Sequence, residues 1–402
     1  MRGSDSLTVP GAQKIAEFAR EGLPVIFYDG MPSYFASYND SGANYVKKTL
    51  DGIQNLQNVH HVAANTLADA VSSLGIEPLT KIQADGTWFT YWRRDDAKSE
   101  DYIFLYNDTP WPNPTSAVYT QGTVEFQATG QPYLFDAWTG EQSPILNYTQ
   151  TKSTTTIFFQ LAANQAIIVA FKNKEQPGYH AVSASRQVLA VTGSGKDLEA
   201  HVGYTESSCA GRVITSDGKR HRVPPASAKP FELKSWTLTV VHWDPPSDLS
   251  NIDPVAVKHN TTHKLDGLTS WQNIDGLQQV SGQGYYQSSF DWEAHESSGA
   301  IISFGFIVHT VRVTLNGHTI PPLDISNPTA DITKYLVKGT NQIEVVVSTT
   351  MANGMAPVWD DLRVSGGPPS GLFGAPTKPS GTDNYGLLNP VVVTPYRVVR
   401  LN

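Results

Sequence analysis

Hydrophobic and polar residues alternate regularly over two stretches in the second half of the chain. In the run 311–315 every second residue is Val or Leu, and the run leads into Asn316-Gly317, a dipeptide typical of two-residue hairpin turns. The run 343–347 alternates in the same way. A period of two places one set of side chains on a buried face, so both runs predict half-buried antiparallel strands.

The middle of the chain predicts many more strands. Aromatic strands are expected at 87–94 and 101–107, joined by a charged loop. Further apolar runs bounded by turn residues follow at 122–126, 132–141, 156–161 and 166–171. Strands at this spacing favour a β-sandwich.

The first eighty residues alternate helix and strand instead. Apolar residues at helical spacing precede the short apolar run 24–30, and residues 43–57 repeat the helix before the run 59–62. A third helix is expected at 65–74. This order predicts a small α/β layer.

The predicted fold is therefore mainly β, in three domains. We expect a small α/β domain at 7–84, a β-sandwich at 85–248 and a jelly-roll domain at 249–402. The second boundary rests on the proline-rich stretch 243–249, which is typical of a linker.

Composition narrows the class of partner. The 402 residues include 32 glycines and 26 prolines, which favours turn-rich sheets over helix bundles, and the net charge is −8. We expect no basic surface for nucleic acid and, because no apolar run approaches about 18 residues, no membrane span. A polysaccharide or oligosaccharide is compatible with such a surface.

Two resemblances give these patterns a function. The hairpin V-R-V-T-L-N-G at 311–317 and the run 331–347 resemble the galactose-binding-like jelly roll that accompanies many glycoside hydrolases. The motif order is similar to the region after the catalytic barrel in glycoside hydrolase family 106, whose characterised members are α-L-rhamnosidases. The motifs are G-L-P-V-I-F at 22–27, W-R-R-D at 92–95, D-Y-I-F-L-Y-N at 101–107, Y-L-F-D-A-W-T-G-E at 133–141 and the closing run 385–397.

The resemblance implies an accessory, non-catalytic part of a secreted glycoside hydrolase. Its barrel would lie upstream, and Met1-Arg2-Gly3-Ser4 is typical of an expression leader. The α/β layer also resembles a class I amidotransferase-like domain, but Cys209 is the first cysteine, so no thiolate nucleophile is available there.

No catalytic residue is predicted. Glycoside hydrolysis needs two carboxyl groups on opposite sides of one bond, and no such pair can be assigned. The candidates by position are Glu125, Asp136, Glu141, Asp291, Glu293, Asp360 and Asp361.

Sugar binding needs flat aromatic faces and a few polar acceptors. We expect Trp271 and Trp359 to supply ring faces and Asp360 and Asp361 to accept sugar hydroxyls, from a loop at the end of the sandwich. Trp292 follows a predicted strand and is expected in the core.

Glycosylation, metals and cofactors complete the expectations. Four Asn-x-Ser/Thr sequences, at Asn39, Asn107, Asn147 and Asn260, are candidate glycosylation sites that permit secretion. We predict no cofactor, although a structural calcium ion bound by loop oxygens is compatible with such sandwiches. Adjacent residues on a strand point to opposite faces, so His60 and His61 do not predict a shared metal.

Two alternatives to the accessory role stay open at this stage. They are a stand-alone carbohydrate-binding protein and a purely structural module that docks other domains, and the accessory role is preferred over both.

Overall fold

The protein is described from a computed structural model. The structure describes all residues except 33, 36–40, 111–117, 208, 247, 249–256, 294–298, 361–377 and 402. Only the backbone of residues 34, 35 and 41 is described. The chain divides into two units, Met1–Leu79 and Thr80–Asn402.

The first unit is the predicted α/β layer. Strand β2 pairs in parallel with β4, and β1 pairs in parallel with β3. Three alanines of α1, including Ala16, pack with Phe27 and Leu50 in its core. The elements are β1 Ser6–Leu7, α1 Val9–Arg20, β2 Val25–Tyr28, β3 Tyr34–Phe35, α2 Ser41–Asp51, β4 Val59–Val62 and α3 Leu67–Ser73, with a 3₁₀ turn at Ala64–Thr66.

The second unit begins with a β-sandwich of two antiparallel sheets. Their orders are β10-β9-β13-β7-β6 and β11-β12-β8-β5. Phe126 of one sheet meets Phe171 of the other with ring centroids 5.3 Å apart, so the core lies between the sheets. The strands are β5 Thr80–Ala84, β6 Trp88–Asp95, β7 Glu100–Asn107, β8 Tyr119–Phe126, β9 Gln131–Phe135, β10 Gln142–Pro144, β11 Thr149–Gln150, β12 Thr155–Ala162 and β13 Ala166–Lys172.

A smaller group of strands follows, with its own apolar cluster around Val202 and Val213. Three of them form a sheet of order β14-β17-β18, and the others join strands from later in the chain. They are β14 Ala181–Ala184, β15 Val188–Ser194, β16 Asp197–Val202, β17 Gly211–Thr215, β18 Arg220–Val223 and β19 Phe231–Leu233.

The jelly roll packs a six-stranded sheet of order β21-β20-β22-β27-β24-β25 against a sheet that contains β28, β23 and β26. The last strand, β28, pairs with β16, β19 and β23, and so joins three separate parts of the chain. The strands are β20 Trp236–Asp244, β21 Val257–Leu265, β22 Gly282–Trp292, β23 Gly299–Ser303, β24 Arg312–Leu315, β25 His318–Thr319, β26 Thr329–Asp331, β27 Gly339–Ser348 and β28 Val391–Arg400.

Short helical turns connect several jelly-roll strands. Three are 3₁₀ turns, and α4 is a single α-helical turn. They are Trp271–Asn273, Thr333–Tyr335, α4 Ala352–Met355 and Ala356–Val358. No helix in the described part of the chain is long and apolar enough to cross a membrane.

The mainly β fold, with a sandwich and a jelly roll after a small α/β layer, is confirmed. The predicted hairpin is present, with Asn316 at φ 51° and Gly317 at φ 80° between β24 and β25. The domain boundaries are placed differently. Strand β5 belongs to the sandwich, and β20 pairs with β22 across the boundary expected after residue 248.

Candidate functional site

The loop that was predicted to bind sugar, which contains Trp359 and Asp360, is anchored by Asn353, a fully buried residue. Its Nδ2 donates to the carbonyl of Asp383 and its Oδ1 accepts from the Asp383 amide, both at 2.9 Å. Beyond it, Trp359 is half-buried and Asp360 is exposed, with its Oδ2 2.9 Å from the Nζ of Lys378. Asp361 lies outside the described residues, and sugar contact at this loop stays a prediction.

Trp271 lies in the core and presents no ring face to solvent. Its Nε1 donates a 2.7 Å hydrogen bond to the hydroxyl of Tyr286, and its ring meets Tyr385 edge-on. Ser270 caps the short helix that begins at Trp271, its side chain accepting from the amide of Gln272. The prediction that Trp271 stacks on sugar is therefore wrong, whereas Trp292 is buried as expected.

Two of the carboxylates considered from the sequence line one cavity. This cavity, here called the polar cavity, has a volume of about 520 Å³ and lies between the sandwich and the jelly roll. Asp136, Thr139 and Glu141 line one side. The other side is lined by the apolar run 320–323 and by Asp331, Thr333, Lys334, Tyr335 and Tyr396. Such a mixture suits a hydroxyl-rich ligand.

The sandwich side of the polar cavity is a tight turn between β9 and β10. The Oδ1 of Asp136 accepts from the amides of Trp138 at 2.8 Å and Thr139 at 3.2 Å. Gly140 has φ 77°, and its amide donates to the carbonyl of Asp136. Asp136 therefore shapes the turn, and Glu141 presents a second exposed carboxylate. The sequence pattern had assigned 132–141 to one strand.

The jelly-roll side holds a buried tyrosine against an aspartate. The hydroxyl of Tyr396 donates a 2.6 Å hydrogen bond to Oδ2 of Asp331, while the Thr333 amide donates to Oδ1 at 2.9 Å. Burial, reinforced by the hydrogen bond to Asp331, raises the pKa of Tyr396 to about 12. The phenol stays protonated and keeps Asp331 in one orientation. His201 stacks on the same ring at 4.3 Å.

A second cavity of about 520 Å³, here called the aromatic cavity, is lined mostly by apolar groups. Trp138 and Phe104 contribute rings that are 45% and 44% exposed, and Ile168 and Ile307 also line the cavity. Exposed aromatic rings can stack on sugar C–H bonds, although the ring of Phe104 also stacks with that of Tyr106 at 6.4 Å. Asn164 and Asp324 also line this cavity.

Sequence analysis named Asp136 and Glu141 but missed Trp138, Asp331 and Tyr396, for identifiable reasons. Turn-forming residues surround Trp138 in the sequence, namely Asp136, Thr139 and Gly140. They could have predicted that Trp138 lies in a tight turn and is exposed. No local pattern brings Asp331 and Tyr396 together, because they meet only through the pairing of β28 with β23 and of β23 with β26.

The other candidate carboxylates are dispersed. Glu125 lies on β8, Asp291 on β22 and Glu293 just beyond it. Asp291 accepts a hydrogen bond from Thr340 at 2.6 Å. None of the three lines either cavity.

The glycosylation candidates differ in exposure. Asn260 is exposed on β21, Asn147 is half-buried, and Asn39 lies outside the described residues. Asn107 is fully buried, and its Nδ2 donates to the carbonyls of Leu161 and Ala162. No space for a glycan exists at Asn107 in the folded protein.

Among the described residues, no group of three or more His, Cys, Asp or Glu side chains is arranged to hold a metal ion. His60 is half-buried and His61 is exposed, where it stacks on Phe27 at 5.3 Å. The structural calcium ion stays a prediction.

Comparison with known proteins gives a likeness of fold. No protein-family model and no curated protein sequence matches the chain. Among solved structures, the chain is similar to the rhamnosidase from Novosphingobium sp. PP1Y, with a TM-score of 0.54 and 15% identity over 97% of this chain. The match covers 32% of the rhamnosidase, so the chain spans about a third of its length.

A Faecalibacterium prausnitzii β-glucuronidase matches over 43% of this chain and 32% of its own, with a TM-score of 0.28 and 16% identity. That likeness is too low to support an argument. The rhamnosidase match shows that this chain shares its fold with part of a glycoside hydrolase.

Proposed function

We propose that this chain is the accessory, carbohydrate-recognising portion of a secreted glycoside hydrolase resembling an α-L-rhamnosidase. In this proposal another domain, which carries the catalytic barrel, cleaves the glycosidic bond. The polar cavity is the observation that carries the proposal, because it combines the Glu141 carboxylate, the Lys334 ammonium group and the fixed Asp331–Tyr396 pair in a space of small-ligand size.

The arrangement favours binding over hydrolysis. Two of its three carboxylates hold the local structure: Asp136 accepts two turn amides, and Asp331 accepts the Tyr396 hydroxyl and the Thr333 amide. A glycosidase needs one carboxyl group to transfer a proton and a second to act on the opposite face of the sugar. Residues already bound in this way serve better as oriented acceptors of sugar hydroxyls.

The fold supports the choice of sugar to test first. The fold of this chain is similar, over 97% of its length, to part of the rhamnosidase from Novosphingobium, and the order of its sequence motifs resembles the region after the barrel in glycoside hydrolase family 106. Rhamnose-containing oligosaccharides are therefore the appropriate probes.

Isothermal titration of the purified chain with L-rhamnose and with rhamnogalacturonan-backbone fragments tests the proposal. We expect saturable binding of the fragments, weakened in a Glu141→Gln variant and unchanged in a Trp243→Ala variant. Trp243 is an exposed indole, 53% accessible on β20, and lines neither cavity, so it serves as the matched control. Flat titrations with all fragments would refute carbohydrate recognition and favour a structural module.

A second measurement tests the accessory role. The purified chain is expected to show no turnover of 4-nitrophenyl α-L-rhamnoside. Turnover that disappears when one carboxylate is replaced by its amide would make this chain itself the enzyme.

A further inference from the structure

Neighbouring residues of the turn after β9 line different cavities. Asp136, Thr139 and Glu141 line the polar cavity, whereas Ala137 and Trp138 line the aromatic cavity. Consecutive Cα atoms are 3.8 Å apart. The two cavities are therefore adjacent, with the turn as the ridge between them.

The jelly roll repeats the same division on the facing side. Residues 320–323 line the polar cavity, and the next three, Asp324, Ile325 and Ser326, line the aromatic cavity. Both cavities thus lie between the same two chain segments. The two adjoining cavities, taken together, are here called the track.

Both walls of the track are fixed before any ligand arrives. On the jelly-roll side, Oδ1 of Asp324 accepts from the amide and hydroxyl of Ser326 at 2.9 and 2.6 Å. Its Oδ2 accepts a 3.0 Å hydrogen bond from Nε2 of Gln165, a buried residue of the sandwich. The turn is held by Asp136 in the same way. Rigid walls reduce the entropy lost on binding.

The two cavities offer complementary chemistry. The aromatic cavity provides exposed ring faces, and the polar cavity provides a carboxylate, an ammonium group and hydroxyls. A sugar residue carries both C–H faces and hydroxyls, and a chain of sugars repeats them. Each cavity alone has the volume of a small-ligand site.

We propose that the two cavities are successive subsites for one oligosaccharide, which crosses the turn with a ring on Trp138 at one side and hydroxyls on Glu141 and Lys334 at the other. This inference rests on the carbohydrate recognition proposed above. It adds that the ligand is longer than a disaccharide and is bound along its chain.

Chain length and point substitutions together test the inference. Titrations use a disaccharide, a tetrasaccharide and a hexasaccharide of the rhamnogalacturonan backbone. Because a chain that fills one cavity presents its next residues to the other, the hexasaccharide is expected to bind at least about tenfold more tightly than the disaccharide. Trp138→Ala and Glu141→Gln are each expected to weaken the hexasaccharide about tenfold, by loss of stacking or of a charged hydrogen bond.

Titration with the disaccharide distinguishes the contributions of the two cavities. It fills one of them, so only one of the two variants is expected to weaken it, and Trp243→Ala is expected to weaken neither ligand. The Trp138 backbone amide, which bonds to Asp136, is kept in the alanine variant, and an unchanged urea unfolding midpoint checks the fold.

Four outcomes overturn the inference. Equal affinity for all lengths, or loss of disaccharide binding in both variants, would leave carbohydrate recognition standing and remove the continuous track. Binding of the hexasaccharide that responds to only one variant would do the same. Absence of binding by every fragment would overturn both proposals.

Discussion

Arg94 and Asp101 face each other across the β6–β7 hairpin, with Nε of the arginine 2.9 Å from Oδ1 of the aspartate. Trp92 and Asn173 donate to the same carboxylate at 3.0 and 2.7 Å. Asp101 is only 1% exposed. Burial alone would raise the pKa of Asp101, but these hydrogen bonds, together with the arginine charge, lower it below 3.8.

Replacing Asp101 by Asn is expected to destabilise the sandwich by about 2 kcal/mol at neutral pH, the range for hydrogen bonds to a charged group. Because the folded-state pKa is depressed, this stabilisation is fully present above pH 3.8 and is lost as the pH falls through the folded value. Urea unfolding of both proteins from pH 7 downward measures the difference. A gap that stays constant below pH 3.8 would contradict the assignment.

The control for this prediction is Lys98→Ala. Lys98 pairs with Asp95 in the same hairpin at 3.7 Å, but its side chain is 64% exposed. Exposed pairs contribute about 0–1 kcal/mol. If Lys98→Ala lowered the free energy of unfolding as much as Asp101→Asn does, any charge in the hairpin, rather than the buried carboxylate in particular, would account for the stabilisation.

Gly386 is expected to tolerate no side chain. It has φ 92°, and an added Cβ would lie 2.6 Å from Nε1 of Trp271 and closer still to the hydroxyl of Tyr286. Gly386→Ala combines left-handed strain with overpacking, for an expected loss of about 2–4 kcal/mol. Chemical denaturation measures it.

Gly218→Ala is the matched control. Gly218 has φ 82°, but nothing lies within 4 Å of the position that a Cβ would take. Only the backbone strain remains, about 1 kcal/mol. Equal losses in the two variants would mean that the contact with Trp271 and Tyr286 contributes nothing.

Asn260 and Asn107 should differ in glycan occupancy when the chain is secreted from a eukaryotic host. Asn260 is exposed on β21, whereas the buried side chain of Asn107 donates to two carbonyls and accepts from the Thr109 amide at 3.1 Å. We expect a glycan at Asn260 and none at Asn107. Peptide mass spectrometry after enzymatic deglycosylation in heavy water decides between them, and an occupied Asn107 in folded protein would contradict the structure.

The strands were predictable where the pattern is local. Alternation over 311–315 and 343–347 gave the buried face correctly, with Leu315 and Val345 fully buried. The motifs at 92–95 and 101–107 entered the sequence analysis only as a resemblance, and the structure shows how their residues interact. Trp92, Arg94 and Asp101 form one hydrogen-bonded group.

The candidate site was not predictable because its parts are distant in sequence. Glu141 and Tyr396 line one cavity although they lie in different β layers. Trp271 is the opposite case, because it was predicted to bind sugar and is fully buried. The sequence shows a tryptophan in a loop-like segment, and it does not show whether that tryptophan is exposed. Ring exposure depends on tertiary packing, which a single sequence does not encode locally.

Strand β28 bonds to β16, β19 and β23, so residues 391–400 complete a sheet begun about two hundred positions earlier. Domains generally fold from the N-terminal side as the ribosome releases them. During translation, β16 therefore keeps one edge unpaired until 391–400 emerge. Nascent chains stalled before that point would expose this edge to other polypeptides, so pairing with the ten-residue β28 removes one site of aggregation.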